Sequence, residues 1–251
     1  MSTERSRSFG AAAAAYDRYR PEYPDQVAAL VVEYAEGPVR TALELGAGTG
    51  KATSIFVRRG VSVTASEPDG GMLNALHRRL PEVATVHASL EELPVLGPFD
   101  LVFVAAALHW TEPAGRWDRI AGLLTPGGVF ANFGGQPELA DEGLVEAVRL
   151  AHQPWLADDS APHMGHAPDS DLHWPATELV DDARFTDVRE TVVEQLFELT
   201  STEYVGLLST VSAYLVLSED ERAAALAAIA KVLPDVVELR ADITVHLARR
   251  V

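Results

Sequence analysis

The stretch Leu43-Glu44-Leu45-Gly46-Ala47-Gly48-Thr49-Gly50 decides the fold, read together with Val61-Ser62-Val63-Thr64-Ala65-Ser66-Glu67-Pro68. An apolar strand runs into a tight glycine turn, a helix follows, and a second strand ends in a carboxylate. This is the opening half of a doubly wound α/β fold, which holds small ligands at the carboxyl ends of its strands. Gly46 and Gly48 permit a sharp turn and close backbone approach to a ligand. The helix after Gly50 offers free N–H groups.

Outward from this stretch the βα rhythm continues. Strands are expected at 39–45, 61–66, 83–87, 99–105 and 129–133, and helices at 51–59, 69–80 and after Pro113. The almost wholly apolar strand at 99–105 fits a sheet covered on both faces. On the N-terminal side, short helices are expected at 9–19 and 25–36, the first broken by Pro21 and Pro24. Beyond 133 the rhythm breaks. Residues 137–175 read as a helix (138–150) and a loop rich in His, Asp and Pro, with a short helix near 176–182. Later elements are a strand at 187–198, helices at 201–214 and 219–232, and a last strand at 235–247. Ser218 and Glu221 form a capping-box pattern for the second of those helices. The expected fold class is α/β, a seven-stranded, mostly parallel, doubly wound sheet with an antiparallel last strand and a helical cap. It is read as a single domain over 1–251, with an N-terminal lid at 1–36 and cap segments at 137–175 and 201–232.

The 251 residues are 47% hydrophobic, enough to build a full core. The 37 acidic against 20 basic side chains give a formal charge of -17. That balance argues against nucleic acid and against an anionic membrane surface as partners. The absence of cysteine excludes disulfides, thiolate catalysis and cysteine metal sites. No apolar run approaches the ~20 residues that span a bilayer, and 9–15 lacks the core of a signal peptide. Cytoplasmic residence, as monomer or homodimer, is the expectation.

Glu44 narrows the ligand. It stands two residues before the first glycine, where a dinucleotide would place its pyrophosphate. A carboxylate there suits a cationic or amine-bearing group better than a phosphate. Glu67 is placed to take both hydroxyls of a ribose. A ligand with an amine end, a ribose end and no phosphate matches S-adenosylmethionine. A nicotinamide oxidoreductase fits less well, because Glu44 opposes a pyrophosphate and no Tyr-Lys proton-donor pair is evident.

These residues resemble the class I S-adenosylmethionine-dependent methyltransferases of the small-molecule type. The likeness is carried by the two stretches above and by Asp69, Met72-Leu73, Ala88-Ser89-Leu90-Glu91-Glu92-Leu93-Pro94, Phe99-Asp100-Leu101-Val102, Ala107-Leu108-His109-Trp110 and Leu124-Thr125-Pro126-Gly127-Gly128. It covers about residues 9–135 well and the rest in outline, and it implies a Rossmann-like methyltransferase fold. It implies that Glu44 lies near the methionine amine, with Gly46, Ala47 and Gly48 against the cofactor and Glu67 on its ribose. Pro68 and Met72 would flank the adenine, and Ser89, Leu90 and Glu91 would meet its edge. Ala105 and Ala106 would line the methionyl end, with His109 and Trp110 beyond. Tyr16 and Arg20 would close over the cofactor as part of a lid, Arg20 near its carboxylate. Two departures stand out. The adenine loop reads Ala88-Ser89 where the family often has Gly and Asp. The helix before Pro126 carries Trp117-Asp118-Arg119-Ile120 in place of the frequent Glu and Arg pair.

Methyl transfer is an in-line attack on a sulfonium carbon, favoured by a dry, aligned site. A phenol or enol acceptor calls for a base, and His titrates in the right range. His109 is the best placed, weighed against a pocket or packing role. His163 and His166 in the insertion are the next candidates. The insertion's His152, His163, His166 and His173, with Asp158, Asp159, Asp169 and Asp171, match no stable metal-ligand face, so no metal is expected. Trp155, Met164 and Trp174 supply apolar area for a substrate. Tyr204 and Leu208, in a stripe with Leu207, Val211 and Tyr214, are read as core or as pocket wall. An aromatic or polyketide-like natural product would suit such a pocket. Two alternatives stay open: an enzyme using the same cofactor without methyl transfer, and a non-catalytic methyltransferase-like scaffold.

Overall fold

The computed structural model describes residues 13–156 and 172–251. The chain enters through α1 (Ala13–Tyr19) and α2 (Asp25–Tyr34). The alternating section follows as β1 (Thr41–Leu45), α3 (Lys51–Val57), β2 (Ser62–Ser66), α4 (Gly70–Arg79) and β3 (Ala84–Val86). Then come β4 (Phe99–Ala105), α5 (Arg116–Leu123) and β5 (Leu124–Gly134). β1 pairs in parallel with β2 and β4, and β4 with β5. Parallel neighbours require helical crossovers, so α2 to α5 cover the two faces.

The second half builds β6 (Glu138–Leu139), α6 (Glu142–His152), α7 (Ala176–Val180), β7 (Phe185–Val193) and β8 (Leu196–Thr200). It ends with α8 (Ser201–Leu208), α9 (Ser212–Leu215), α10 (Glu219–Ala230), β9 (Val236–Arg240) and β10 (Ile243–Arg250). The seven-stranded sheet has the order β3-β2-β1-β4-β5-β10-β7, with β10 antiparallel to both neighbours. The doubly wound α/β class and the antiparallel last strand are therefore as the sequence implies.

The strands expected at 187–198 and 235–247 are each two. β7 and β10 belong to the large sheet, whereas β8 and β9 join β6 in a three-stranded sheet of order β6-β9-β8. Both segments cross between the sheets at the same level, where the Ala241 N–H donates to the Gln195 carbonyl at 2.9 Å. Neither crossing carries the Gly or Pro that would break a strand in the sequence. That is why each pair reads as one element.

Three cores result. One face of the large sheet buries Val27, Val31, Ile55, Phe56, Phe103 and Phe133 under α2 and α3. The Phe103 and Phe133 rings are stacked, 6.1 Å apart. The other face buries Leu43, Val102, Val104, Trp117, Ile120 and Phe130 under α5. The small sheet and α6, α8, α9 and α10 enclose a separate core that includes Leu139, Val148, Tyr204, Leu207, Ile229 and Leu239. Capping boxes at Thr200/Glu203 and Ser218/Glu221 start α8 and α10; the first escaped the sequence reading. The small sheet and its helices form a cap beside the carboxyl ends of β4 and β5.

Candidate active site

The glycine turn is fixed by its neighbours. Gly46 and Ala47 both donate their N–H to the Ser66 carbonyl, at 2.9 and 3.0 Å, locking β1 to β2. Gly46 has φ +69°, and a Cβ on it would stand 2.6 Å from the Ala107 Cβ. Gly48 has φ +57° with open space where a Cβ would point. Gly48 N–H donates to Glu67 Oε2 at 2.8 Å, and Asp69 N–H to Glu67 Oε1 at 2.9 Å. Each Glu67 oxygen keeps a further lone pair. Asp69 caps α4 by accepting from Gly71 and Met72 N–H, and Met72 packs with Ala13, Ala75 and Tyr16. Pro68, Asp69, Gly70, His87 and Glu92 line a pocket next to Glu67.

Glu44 is fully buried. Thr53 on α3 donates to its Oε2 at 2.5 Å, and Oε1 has no partner among the described residues. Burial, reinforced by the Glu67 charge and partly offset by Thr53, pushes its pKa up to about 8. Burial also raises Glu67, against the two N–H groups that favour its ionised form. A buried carboxyl with an unsatisfied oxygen is costly unless a ligand supplies a donor or a cation.

The N-terminal segment lies against this site. Arg20 Nε donates to Thr210 Oγ1 at 2.9 Å and Nη1 to Gln136 Oε1 at 3.1 Å, while its guanidinium sits 5.4 Å from the Tyr16 ring centre. Both hydrogen-bond partners are neutral, which leaves the charge for an anion. Tyr23 packs edge-on against Phe133 at 5.2 Å. Burial, with Tyr16 and Glu44 nearby, raises its pKa well above the ordinary tyrosine value, so its hydroxyl remains a donor. Lys51 Nζ donates to the Asp17 carbonyl and to Glu22, both at 2.8 Å, and Arg79 pairs with Asp17 and Glu22.

The remaining candidates divide by location. Ala105 is half-buried, and Ala106 is exposed with φ +52°. His109 is exposed with its ring 4.6 Å from Trp110, and the protein wall beside it holds its pKa below the usual histidine value. Ser89 is half-buried, while Leu90 packs into the core under α5. The Glu91 carboxylate accepts from Glu112 N–H at 2.8 Å, a tie within the base. Tyr204, Leu208 and Trp155 lie in the cap core. Trp174 lies elsewhere, against the α5-side core with its Nε1 donating to Glu178. The structure thus separates Trp174 from Trp155. His163, Met164 and His166 lie outside the described residues. Among the described residues, no cluster of three metal-ligating side chains occurs.

Sequence reasoning missed Thr53, Tyr23, Lys51, Gln136 and Thr210. Lys51 carried a signal: a cation in the first turn of a helix opposes the dipole and needs a local reason.

A family model for a methyltransferase domain matches residues 43–132. The glycine turn, Glu44 and Glu67 all fall inside this methyltransferase-domain match. The methyltransferase segment is 40% identical over 126 residues to an uncharacterized methyltransferase of Mycobacterium tuberculosis, covering 50% of this chain and 51% of that protein. It is 31% identical over 143 residues to trans-aconitate 2-methyltransferase of Rhizobium leguminosarum, covering 54% and 56%. The chain thus spans about half the length of the curated relatives it matches. In fold, it resembles a type II methyltransferase candidate from Anaeromyxobacter dehalogenans (TM-score 0.64, 23% identity, 92% of this chain and 98% of that one). It also resembles Haemonchus contortus phosphoethanolamine N-methyltransferase 2 in complex with S-adenosyl-L-methionine (TM-score 0.53, 16% identity, 98% and 60%).

Proposed function

We propose that this protein transfers a methyl group from S-adenosylmethionine to an oxygen, nitrogen or carbon nucleophile of a small molecule. One observation carries the reading. A buried carboxyl with an unpartnered oxygen, Glu44, and a backbone-anchored carboxylate, Glu67, flank a glycine turn with open space at Gly48. The first matches an ammonium group and the second a ribose diol. Arg20 supplies a cation for a carboxylate, and Pro68 and Met72 supply apolar surface for a base. The cofactor supplies an activated methyl on a positively charged sulfur.

Held by Glu44, Glu67 and Arg20, the cofactor would supply its methyl group to the lone pair of an acceptor aligned with it. A proton from an O–H or N–H acceptor then leaves to a base. His109, at the mouth and largely neutral near pH 7, takes that proton or orients the acceptor. Ala105 and Ala106 leave room for the methyl, and Trp110 shields the site from water. The cap core around Trp155, Tyr204 and Leu208 supports an aromatic or polyketide-like acceptor, with Met164 and the insertion histidines His163 and His166 as further contacts. The charge of -17 supports a small molecule over nucleic acid, and among the described residues no helix is long and apolar enough to cross a membrane.

Calorimetric titration with S-adenosylhomocysteine tests the reading. One-to-one binding with roughly micromolar affinity is expected, weakened at least ~100-fold in Glu67→Ala by loss of two charge-assisted contacts. A folded wild-type protein that takes up no ligand at millimolar concentration sinks it.

A further inference from the structure

Glu44 is set into a dry wall. Its register partners are Ala65 in β2 and Phe103 in β4, both fully buried. Phe103 meets Phe56 of α3 with ring centres 4.3 Å apart and stacks on Phe133 of β5, and Tyr23 packs edge-on against Phe133. These rings belong to the core under α2 and α3, where Ala105 also packs at the end of β4. Glu44 therefore stands on the sheet face that carries Ala105 and Tyr23.

Within that wall its two oxygens differ. Oε2 accepts from Thr53, and Oε1 is buried without a partner among the described residues. The nearby cations of the described residues are engaged elsewhere. Lys51, on the same helix as Thr53, donates to the Asp17 carbonyl and to Glu22, and Arg20 donates to Thr210 and Gln136. Tyr23 keeps its hydroxyl neutral, and α2 brings Val27, Ala28 and Val31 to this core. The charge that acts on Glu44 is the Glu67 carboxylate, of like sign.

One donor, no counter-ion and a like charge make an unfavourable place for a carboxylate, and such a group neutralises by taking a proton. Oε2 is engaged as an acceptor, so the proton belongs on Oε1. Glu67 is held differently, because the Gly48 and Asp69 N–H groups each donate to one of its oxygens. The two carboxyls also meet different parts of the proposed ligand, Glu67 the ribose and Glu44 the amino-acid end.

We propose that the cofactor's amino-acid end binds in exchange for a proton: its ammonium takes the place of the hydrogen on Glu44 Oε1, and one proton passes from Glu44 to solvent for each ligand bound. The proposal rests on the methyltransferase reading. The charges balance, since a neutral carboxyl and an ammonium become a carboxylate, an ammonium and a released proton. The buried carboxylate is then paired rather than isolated. A nucleoside without the amine offers nothing to stabilise that carboxylate and leaves the proton in place. Because the proton is a product of binding, rising pH favours the ligand until Glu44 ionises in the empty protein, at about pH 8. The site thus selects amine-bearing nucleosides more strongly as pH rises.

Calorimetry of the full chain counts the proton without any turnover. S-adenosylhomocysteine is titrated at pH 7 in phosphate and in Tris, whose ionisation heats differ, and the difference in binding heat is expected to give about one proton released per ligand. Affinity is expected to rise ~10-fold between pH 6 and pH 7. Glu44→Gln is expected to bind more weakly, with no proton released and no pH slope. 5′-Methylthioadenosine, which keeps the ribose and base and lacks the amine, locates the proton in the wild-type protein without a variant: it is expected to bind with no release. Wild-type protein that binds no S-adenosylhomocysteine at millimolar concentration sinks the methyltransferase reading itself. Binding without proton release, or with affinity flat from pH 6 to pH 7, overturns the proposal alone. Equal release with methylthioadenosine, or undiminished release in Glu44→Gln, overturns it too, by moving the proton to Glu67 or another group.

Discussion

The cofactor turn and the cap differ in how their residues are constrained. At the turn, Gly46, Gly48, Glu44 and Glu67 answer to backbone angles, a single hydrogen bond or a buried charge, and few other residue types fit. In the cap, Leu139, Val148, Leu207, Ile229 and Leu239 come from five different elements and answer only to apolar volume. Cores of that kind tolerate substitution when total volume is kept. The contrast is one of constraint: what the turn can hold is dictated by few atoms, whereas the cap can change its residues without changing its fold.

Breaking the turn gives the largest expected effect. Gly46→Val places a Cβ where Ala107 already stands, on a backbone with φ +69°. Strain of ~1–2 kcal/mol and overpacking of ~1–3 kcal/mol add. S-adenosylhomocysteine binding by calorimetry is expected to fall at least ~100-fold, with a clear drop in melting temperature. Binding within tenfold of wild type would show that the turn is less constrained than its geometry implies. A volume-conserving swap in the cap, Leu207→Met, is expected to cost less than ~1.5 kcal/mol and leave binding intact.

The same contrast explains what the sequence reveals. The large sheet was legible because glycine turns, carboxylates at strand ends and wholly apolar strands follow from local rules. Glu44 stood out because a carboxylate conflicts with a phosphate, and Glu67 because a carboxylate at a strand end suits a ribose diol. The small sheet was not, because a strand that leaves one sheet for another keeps the same β-forming composition through Glu194-Gln195 and Ala241-Asp242. Trp174 looked equivalent to Trp155, as both are large and apolar, and only the path of the chain sends one to the base and the other to the cap. Thr53, Gln136 and Thr210 were invisible for a further reason: each matters through one contact with a residue far away or on another element.

Glu44→Gln sharpens the contrast by separating stability from binding. Burial raises the Glu44 pKa from 4.5 to about 8 in the fold. A raised acid contributes fully below its unfolded pKa, and that contribution is lost as pH rises toward the folded value. The empty wild-type protein is therefore expected to lose stability between pH 5 and pH 8, and Glu44→Gln to be spared that loss. Melting curves should converge at pH 5 and favour the variant at pH 9. Affinity for S-adenosylhomocysteine should fall ~10-fold or more, the worth of a charge-assisted hydrogen bond. A variant less stable than wild type at pH 9 would mean that Glu44 already has a compensating partner in the empty site.

A small but measurable effect on binding is expected where the two regions meet. Thr210, fully buried at the end of α8, accepts from Arg20 Nε at 2.9 Å and donates to the Leu207 carbonyl at 2.6 Å. Thr210→Val keeps the shape and removes both bonds. The Thr210 bond holds Arg20 against the cap, so its loss loosens the group proposed as the clamp on the cofactor carboxylate. A neutral partner contributes ~1 kcal/mol, about a fivefold change in affinity. A double-mutant cycle with Arg20→Ala decides whether that loss passes through the arginine: the effect of Thr210→Val should vanish in the Arg20→Ala background. If it persists there undiminished, the cap acts on the cofactor site by another route than Arg20.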